Sequence, residues 1–583
     1  MSQSQTGMQD ARRREVVALF EAHGAIAEPG LVEALSLAPD GPVRLQAVLG
    51  KLAEIPFHFD PVLWERLEAQ MVEASLPPPP PPTLGDDAER ARKEAMRRNA
   101  ARVYDSPAEA PAPEGEGDES EPEDGADGAI EIEAVPTTAA EEARGFRVEP
   151  RSDWSPLAAQ HPDQVEVVAD MTGNSTCEGT TGDFATYFQA RYTQIAKMLR
   201  GRRELRNAMP VERVKPGMQE VQLIVMVDEV VTTKNGHKRL AVQDGTGAIT
   251  ALVRADEQAL MAMANSIVAD EVIGLVGQAS SKGDLLFLSA IVRPDIPMPD
   301  PTVPRGAAVP LMAAFLSDIH VGSKTFLDPN WKRMLRWLNG HGATKRERDA
   351  AGRVKYLVIP GDLVDGVGIY PGQQDELSIK DIYDQYGAFG DWIRNVPSHV
   401  QVIIQPGNHD ASRPAEPQPA FSTEVRARFD HHATKFLANP ATFKMHGVTT
   451  LGYHGNSLID YAASVSGFEF SAPLPIMKQM LQSRHVAPLY GERTPVAPEH
   501  HDYLVISTVP DLFVTGHVHV PGIEAYRGVQ MVNSGTWQSQ TSYQKMLNFT
   551  PDPAKMPLMD LQSLRGTLVD FQTPENAGQI APV

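Results

Sequence analysis

Five short apolar segments in the C-terminal half of the chain nearly all run directly into a polar motif. The segments are residues 313–316, 356–359, 400–404, 448–451 and 512–515. Short buried runs that alternate with helical stretches predict a layered α/β architecture. Because loops at the carboxyl ends of such strands converge over the edge of the sheet, the motifs are expected to meet in space.

The motifs supply carboxylate, amide and imidazole groups. Asp318 and His320 are two residues apart, so an extended strand end would point both to one face, and His517 and His519 repeat that spacing. Three further candidates follow the other segments: Asp362 after a glycine, Asn408 after a glycine, and His454. Among the histidines of this region, His500 and His501 compete with His454 for the ligand role.

This donor set predicts a site for two divalent metal ions. Mixed oxygen and imidazole donors without thiolate suit Mn²⁺, Fe²⁺ or Zn²⁺ better than Ca²⁺, which prefers an all-oxygen shell. Two such ions favour hydrolysis of a phosphoester. His409, next to Asn408, is the candidate general acid for the departing alkoxide, and Asp365 and Asp410 are expected to support the ligands.

The N-terminal part of the chain divides by composition. Residues 1–75 show helical apolar spacing and predict a small helical domain. Residues 76–163 begin with six prolines and continue Ala-, Pro- and Glu-rich, which predicts a disordered linker. Fifteen Asp and Glu against two Arg lie between positions 105 and 150, so this segment carries most of the net charge of −22. Net charge therefore excludes no partner.

Residues 164–305 combine a basic helix with a strand-rich segment. About five strands separated by Asn-Gly and Asp-Gly turns fit an OB-type β-barrel that contacts nucleic acid or protein, while a barrel serving only as a spacer stays open. The helix at 184–205 carries clustered arginines, beginning with Arg191. These side chains either contact a DNA backbone or form a solvated face.

The chain also has features expected of a soluble cytoplasmic protein without a membrane segment. No apolar run approaches the ~20 residues of a membrane helix, and the N-terminus lacks a signal-peptide pattern. Cys177 is the one cysteine in the sequence, so the chain cannot build a disulfide or a thiolate zinc site on its own.

The motifs resemble those of the calcineurin-like metallophosphoesterases, whose fold is an α/β/β/α sandwich. A closer resemblance, to the small subunit of archaeal family D DNA polymerases, covers most of the chain. It rests on the order of the modules and on five segments: 171–176 (MTGNST), 317–323 (SDIHVGS), 406–410 (PGNHD), 456–460 (NSLID) and 532–538 (VNSGTWQ). The implied fold is multidomain α+β: a helical N-terminal domain, a linker, the barrel at 164–305 and the phosphoesterase sandwich at 306–583.

The resemblance also implies roles for the individual residues. One ion would be held by Asp318, His320 and His519, the other by Asn408, His454 and His517, with Asp362 bridging the two and His409 as the catalytic acid. The implied activity is 3′→5′ proofreading at a DNA primer-template 3′ end, with Mn²⁺ as the favoured ion. The implied partners are the large catalytic polymerase subunit and the sliding clamp.

Two alternatives stay open from the sequence. Related subunits of eukaryotic replicative polymerases resemble this plan but have lost the ligands, which suggests an architectural subunit joining polymerase and clamp. The other alternative is a stand-alone repair nuclease. Every ligand position here holds a residue able to bind a metal, which favours the enzyme.

Overall fold

The computed structural model describes residues 138–429 and 434–582, together with the short stretches 16–17, 19–20, 26–27, 29–38, 44–46, 48 and 58–59. The chain divides into two compact units, Met1–Ala101 and Arg102–Val583. Residues 76–137 of the predicted linker lie outside the described residues. Across the described ranges, no helix combines the length and the apolar character needed to cross a bilayer.

The first unit is described only in part. Helix α1 (Pro29–Leu37) has its apolar side chains Leu31, Val32 and Leu35 buried, which is the spacing of one helix face. Strands β1 (Ile26–Ala27) and β2 (His58–Phe59) form a short parallel pair.

The second unit holds the remaining described elements. Its helices are α2 (Ala139–Gly145), α3 (Thr181–Leu199), α4 (Gln258–Ala264), α5 (Asp328–Arg336), α6 (Lys345–Ala351), α7 (Ile382–Ile393), α8 (Thr423–Arg426), α9 (Leu458–Ser464), α10 (Pro473–Ser483) and α11 (Ser542–Met546). A π-helical segment, Trp337–His341, follows α5, and 3₁₀ turns lie at Leu157–Gln160, Arg203–Leu205, Val211–Arg213, Gln373–Asp375 and Ala427–Phe429.

The strands of this unit are β3 (Val165–Ala169), β4 (Val221–Thr232), β5 (Lys238–Asp244), β6 (Gly247–Val253), β7 (Val272–Ala279), β8 (Leu285–Val292), β9 (Met312–Phe315), β10 (Val354–Pro360), β11 (Gln401–Gln405), β12 (Thr434–Phe436), β13 (Ala441–Met445), β14 (Val448–Gly452), β15 (Leu512–Thr515), β16 (Gly522–Tyr526), β17 (Val529–Asn533), β18 (Lys555–Asp560), β19 (Arg565–Asp570) and β20 (Gln579–Pro582).

Two sheets share a core in the second unit. One has the strand order β12-β11-β10-β9-β18-β19-β20, and the other has the order β16-β17-β15-β14-β13-β3. Along β9, Ala313 and Phe315 face the core between the sheets, whereas Ala314 faces the helices α5 and α7 on the outer side. Helices α9 and α10 cover the outer side of the second sheet. The prediction of a mixed α/β architecture is confirmed.

Residues 221–292 form a closed barrel of five strands in the order β4-β5-β6-β8-β7. The pairs are antiparallel except β6 with β8, which is parallel. Alternating residues such as Leu223, Val225 and Val227 fill the interior. The expected five-stranded barrel is confirmed, and its assignment to the OB type stays a prediction.

The structure describes residues 138–163, which form the end of the predicted disordered linker, and these residues are folded. A capping box between Thr138 and Glu141 starts α2, and Ala143 on that helix is fully buried. The ring of Phe146 lies 5.3 Å from that of Trp392 in α7. Ala143 and Phe146 each pack on a surface formed elsewhere in the chain. Because they are isolated apolar residues in an acidic segment, they produce no periodic apolar pattern in the sequence. Residues 165–169, expected near the barrel, instead pair with β13 in the second sheet.

The predicted basic helix is α3. Its arginines were expected either to contact a DNA backbone or to form a solvated face, and both expectations are wrong for Arg191. Its side chain is fully buried and lies 2.9 Å from a carboxylate oxygen of Asp502, which is also fully buried. Its guanidinium also donates to the hydroxyl of Tyr187 and to the carbonyl of Pro488. Arg191 therefore links α3 to Pro488 and Asp502, which follow α10 along the chain. Arg200, Arg203 and Arg206 are exposed.

Candidate metal centre

The predicted ligands follow strands that are neighbours in the two sheets. Asp318, Asp362 and Asn408 come shortly after β9, β10 and β11, which are adjacent in the first sheet. His454 and His517 follow β14 and β15, which are adjacent in the second sheet. The ends of both sheets therefore bring the motifs together, as the strand-end argument predicted.

Five of the predicted ligands have left-handed backbone conformations, which non-glycine residues seldom adopt. The φ angles are 51° at Asp318, 53° at His320, 53° at Asp362, 66° at His517 and 60° at His519. Each residue turns the chain sharply just after a strand and redirects its side chain toward the centre. Such strain persists only where the surrounding structure holds it, and it clusters at functional sites.

Asp318, His320 and His519 form the first group, and their ligand atoms lie within 4.8 Å of one another. His519 Nε2 is 3.3 Å from His320 Nε2 and 3.3 Å from Asp318 Oδ1. The other oxygen of Asp318 accepts the backbone N–H of His517 at 2.8 Å. Oδ1 is buried and has no hydrogen-bond partner among the described residues. A buried carboxylate oxygen of this kind fits a metal ligand.

Asn408, His454 and His517 form the second group. Asn408 Oδ1 is 2.9 Å from His454 Nε2 and 3.0 Å from His517 Nδ1. Asp362 Oδ2 lies 3.4 Å from His454 Nε2 and 3.9 Å from His320 Nε2, so this carboxylate stands between the groups. The structure thus brings together all seven predicted ligands.

The hydrogen-bond partners of His454 indicate whether the site suits a cation. Its Nδ1 donates to the carbonyl of Pro360 at 2.8 Å, which leaves the Nε2 lone pair of a neutral ring facing oxygens of Asn408 and Asp362. Burial opposes a charged ring, yet the carboxylate of Asp362 outweighs it and raises the pKa of His454 to about 10. In the metal-free chain a proton on Nε2 supplies the positive charge that these oxygens favour, and a divalent cation held by the neutral ring would supply it instead. The residues present therefore fit divalent metal ions.

His409, the predicted acid, lies against the same centre. Its ring meets that of His320 edge-on, with the centroids 4.7 Å apart. Its backbone N–H donates to Asp362 Oδ1 at 2.9 Å, and its Nδ1 donates to the carbonyl of Asp365 at 2.7 Å. Burial opposes protonation, but the charges of Asp362 and Asp365 raise the pKa of the His409 ring. The residue is partly exposed, at the open side of the centre.

Asp365 and Asp410 support the ligands, as expected from the sequence. Asp365 lies 3.2 Å from His320 Nδ1 and accepts from the side-chain amides of Gln373 and Gln538, both at 3.0 Å. Asp410 accepts the backbone N–H of Gly407 at 2.9 Å, which holds the turn before Asn408. Burial and the charge of Asp362 raise the pKa of Asp410 to about 7.

Sequence reasoning missed several residues that build the centre. Gln544 Nε2 lies 3.0 Å from His519 Nδ1 and occupies the fourth position of a capping box begun by Thr541. The spacing of Thr541 and Gln544 predicts the start of a helix, but it does not indicate that Gln544 contacts His519. Outside the centre, Glu499 was also missed: it is fully buried and accepts from the Ser175 hydroxyl and the Thr176 N–H, which anchors the 171–176 segment.

His500 and His501 lie outside the cluster: His500 pairs with Asp183 at 2.8 Å, and the ring of His501 packs edge-on against Tyr503. Neither residue belongs to the groups of His, Asp, Glu or Cys that could hold a metal among the described residues. Of the competing histidines, His454 is the one placed beside Asp362.

The family model that describes the B subunits of DNA polymerases alpha and epsilon matches residues 313–521, a range that contains all eight predicted site residues. The chain is 39% identical over 405 residues to the DNA polymerase II small subunit of Methanothermobacter thermautotrophicus, covering 69% of this chain and 83% of that protein. It is 40% identical over 406 residues to the protein of the same name from Thermoplasma acidophilum, covering 69% of this chain and 80% of that one. A solved structure described as a novel archaeal phosphodiesterase is 12% identical with a TM-score of 0.23, covering 44% of this chain and 99% of that one.

Proposed function

Because this chain belongs to the family of archaeal DNA polymerase II small subunits, we propose that it is the 3′→5′ proofreading exonuclease subunit of a replicative family D DNA polymerase. The observation that supports the proposal is the convergence of carboxylate, amide and imidazole lone pairs around Asp362. A polymerase subunit with only an architectural role has no need of such a strained and electrostatically demanding cluster.

The residues divide between two ion positions. Asp318, His320 and His519 would hold one ion, Asn408, His454 and His517 the other, and Asp362 would contact both. When bound, two divalent ions supply a water of lowered pKa and neutralise charge on a phosphodiester. The donor set contains no thiolate and is rich in imidazole, which suits Mn²⁺, Fe²⁺ or Zn²⁺, and we take Mn²⁺ as the working ion.

His409 would act as the general acid. Since its Nδ1 is committed to the carbonyl of Asp365, Nε2 is the nitrogen that would donate a proton to the departing 3′ oxygen. In the metal-free chain the charges of Asp362 and Asp365 raise the pKa of this ring, and a histidine is suited to donating a proton near neutral pH. Asp362 holds the residue in place through the His409 backbone N–H. The acid and the ligands are thus oriented by one shared carboxylate.

The proposed partners are the large catalytic subunit of the polymerase, the 3′ end of a DNA primer-template, and the sliding clamp. We take the closed barrel at β4–β8 to be an OB fold that contacts one of these partners. The two-sheet unit is proposed to be a calcineurin-like phosphoesterase. Exposed Arg200, Arg203 and Arg206 beside the barrel are available for salt-dependent contact with DNA.

The deciding experiment compares His409→Ala with wild type in the complex with the large subunit. A primer labelled at its 5′ end and carrying a mispaired 3′ end is incubated with Mn²⁺ and without nucleotides. Wild type is expected to remove nucleotides from the 3′ end, and His409→Ala to be about 10²- to 10⁴-fold slower. Metal content, measured on both purified proteins, is expected to be equal because His409 is not a proposed ligand.

His501→Ala serves as the matched control, because this exposed histidine lies outside the candidate cluster. It is expected to keep wild-type activity. If wild type and His409→Ala are equally inactive while the complex is intact, the enzymatic proposal fails and the architectural role is favoured. Full activity of a chain that co-purifies with no polymerase subunit would instead favour a stand-alone nuclease.

A further inference from the structure

Two aromatic pairs flank the candidate metal centre. On the His517 side, the ring of Phe470 meets the His517 ring edge-on, with the centroids 5.9 Å apart. Phe549 lies 5.8 Å from Phe470. Both phenylalanines are only partly buried. A ligand histidine is thus bordered by apolar rings that remain within reach of a substrate.

The second pair, Tyr370 and Tyr543, lies beside the other half of the centre. Their rings are stacked, with centroids 5.8 Å apart and planes 20° from parallel. Tyr370 follows Asp365, the residue whose carbonyl accepts from His409, by five positions. Tyr543 directly precedes Gln544, which contacts His519. The tyrosine pair is therefore carried by the same short segments that orient the candidate acid and a ligand.

Exposed apolar side chains extend this second pair toward solvent. Val367 and Ile369, in the loop after Asp365, are 41% and 38% exposed, and Met546 in α11 is 60% exposed. Apolar side chains are thus exposed on the two segments whose residues contact His409 and His519.

We propose that Phe470 and Tyr543 are positioning residues that stack on the bases of an unpaired DNA 3′ end. This inference rests on the proposed function, since the metal centre must receive the phosphodiester of the strand whose bases are stacked. Every base offers a flat π face, so aromatic rings bind single strands with little dependence on sequence. Bases inside a duplex have both faces covered by their neighbours, and a paired terminal base has one face covered. Stacking on bases beyond the terminal one therefore requires an unpaired 3′ end, which is the substrate that the proposed function already names, and the new element is the role of the two rings.

A binding experiment tests the stacking independently of hydrolysis. The full chain is mixed with a single-stranded oligonucleotide that carries 2-aminopurine at its 3′ end, with Ca²⁺ in place of the working ion and strand integrity checked on a gel. Stacking is expected to quench the 2-aminopurine fluorescence on binding to wild type. Phe470→Leu, which keeps an apolar side chain but removes the ring face, is expected to lose most of the quenching.

Phe468→Leu is the matched control, because Phe468 and Phe470 pack against the same core, whereas the ring contact with His517 is made by Phe470. It is expected to quench as wild type does. Tyr543→Leu provides a second test if Phe470→Leu fails to fold. Equal quenching by wild type, Phe470→Leu and Tyr543→Leu would overturn the inference, and so would bound DNA without any quenching by wild type.

A kinetic experiment measures the contribution of the ring. Strands ending in a normal nucleotide or in an abasic sugar are compared at equal concentration. Loss of one stacked base is expected to slow wild type roughly 5- to 150-fold, and Phe470→Leu is expected to lose most of that difference. If Phe470→Leu slows both strands equally, the ring acts only through His517 and the inference fails. If no strand is degraded but quenching persists, the proposed nuclease function fails while the stacking stands.

Discussion

Replacing Arg191 by methionine is expected to destabilise the second unit strongly. The Arg191–Asp502 pair is fully buried on both sides, with 2.9 Å between nitrogen and oxygen. The guanidinium also donates to the carbonyls of Pro488 at 2.6 Å and Asp270 at 3.2 Å. Methionine can fill the volume of the aliphatic stem, but it supplies none of these donors.

The magnitude follows from what remains around Asp502 in the variant. Its carboxylate would keep the His485 ring at 2.9 Å, the backbone N–H of Leu504 at 2.9 Å and the neighbouring Tyr187 hydroxyl, all without a full positive charge. Removing one partner of a buried ion pair typically costs about 3–5 kcal/mol, because the other charge stays buried and uncompensated. We expect a loss of about 4 kcal/mol, a large share of the stability of an ordinary domain.

Urea unfolding of the full chain, followed by tryptophan fluorescence, measures this loss, since five of the six tryptophans lie in the second unit. Lys197→Met, an exposed substitution on the same helix, is the control and is expected to change the unfolding free energy by less than about 0.5 kcal/mol. The double variant Arg191→Met/Asp502→Asn is expected to be more stable than Arg191→Met, because it leaves no unpaired charge. A loss below about 1 kcal/mol in Arg191→Met, or a double variant less stable than the single one, would refute the reasoning.

Three further outcomes are expected. A methyl group at Gly407 would collide with the carboxylate of Asp362, so Gly407→Ala should lower bound metal on elemental analysis as well as nuclease rate; unchanged metal content would contradict this. Burial, with the nearby positive charge of Arg191, lowers the pKa of His485 to about 4. Between pH ~6.5 and ~4 the unfolded chain therefore binds more protons than the folded one, and the unfolding free energy should fall as the pH drops through that window. Urea unfolding at pH 7 and pH 5 should show a smaller drop for His485→Gln, and an equal drop would refute the assignment. Glu499→Gln should speed proteolysis within residues 171–177, which that carboxylate anchors; the same digestion rate as wild type would count against the anchor.

The candidate centre could be predicted from sequence because strand ends are easy to recognise and must converge. Asp318, Asp362 and Asn408 each follow a buried strand of one sheet. Because these strands are parallel neighbours, the three residues lie at the same edge of that sheet. The division of donors between two ion positions is implied by the resemblance alone and stays a prediction. The left-handed backbone at these residues was not predictable, since Asp and His also occur in ordinary turns.

Features that depend on a distant partner escaped the sequence. Arg191 looked like part of a polar helix face, but Asp502, more than three hundred positions later, provides the charge that allows its burial. Ala143 and Phe146 sit in an acidic stretch, and the surface that receives them is formed by α7. The composition of a segment predicts the structure that its own residues favour. Each of these residues is instead stabilised by contacts with distant parts of the chain.

The left-handed backbone conformation of five of the proposed ligands also has a consequence for the evolution of such a chain. Five strained residues at of order 1 kcal/mol each amount to about 5 kcal/mol, which is comparable to the whole stability of a modest domain. Glycine at those positions would relieve the strain while removing the donor side chains of the proposed ligand set. A lineage released from selection for chemistry would therefore gain stability by losing its ligands one by one, with the fold and the subunit contacts intact.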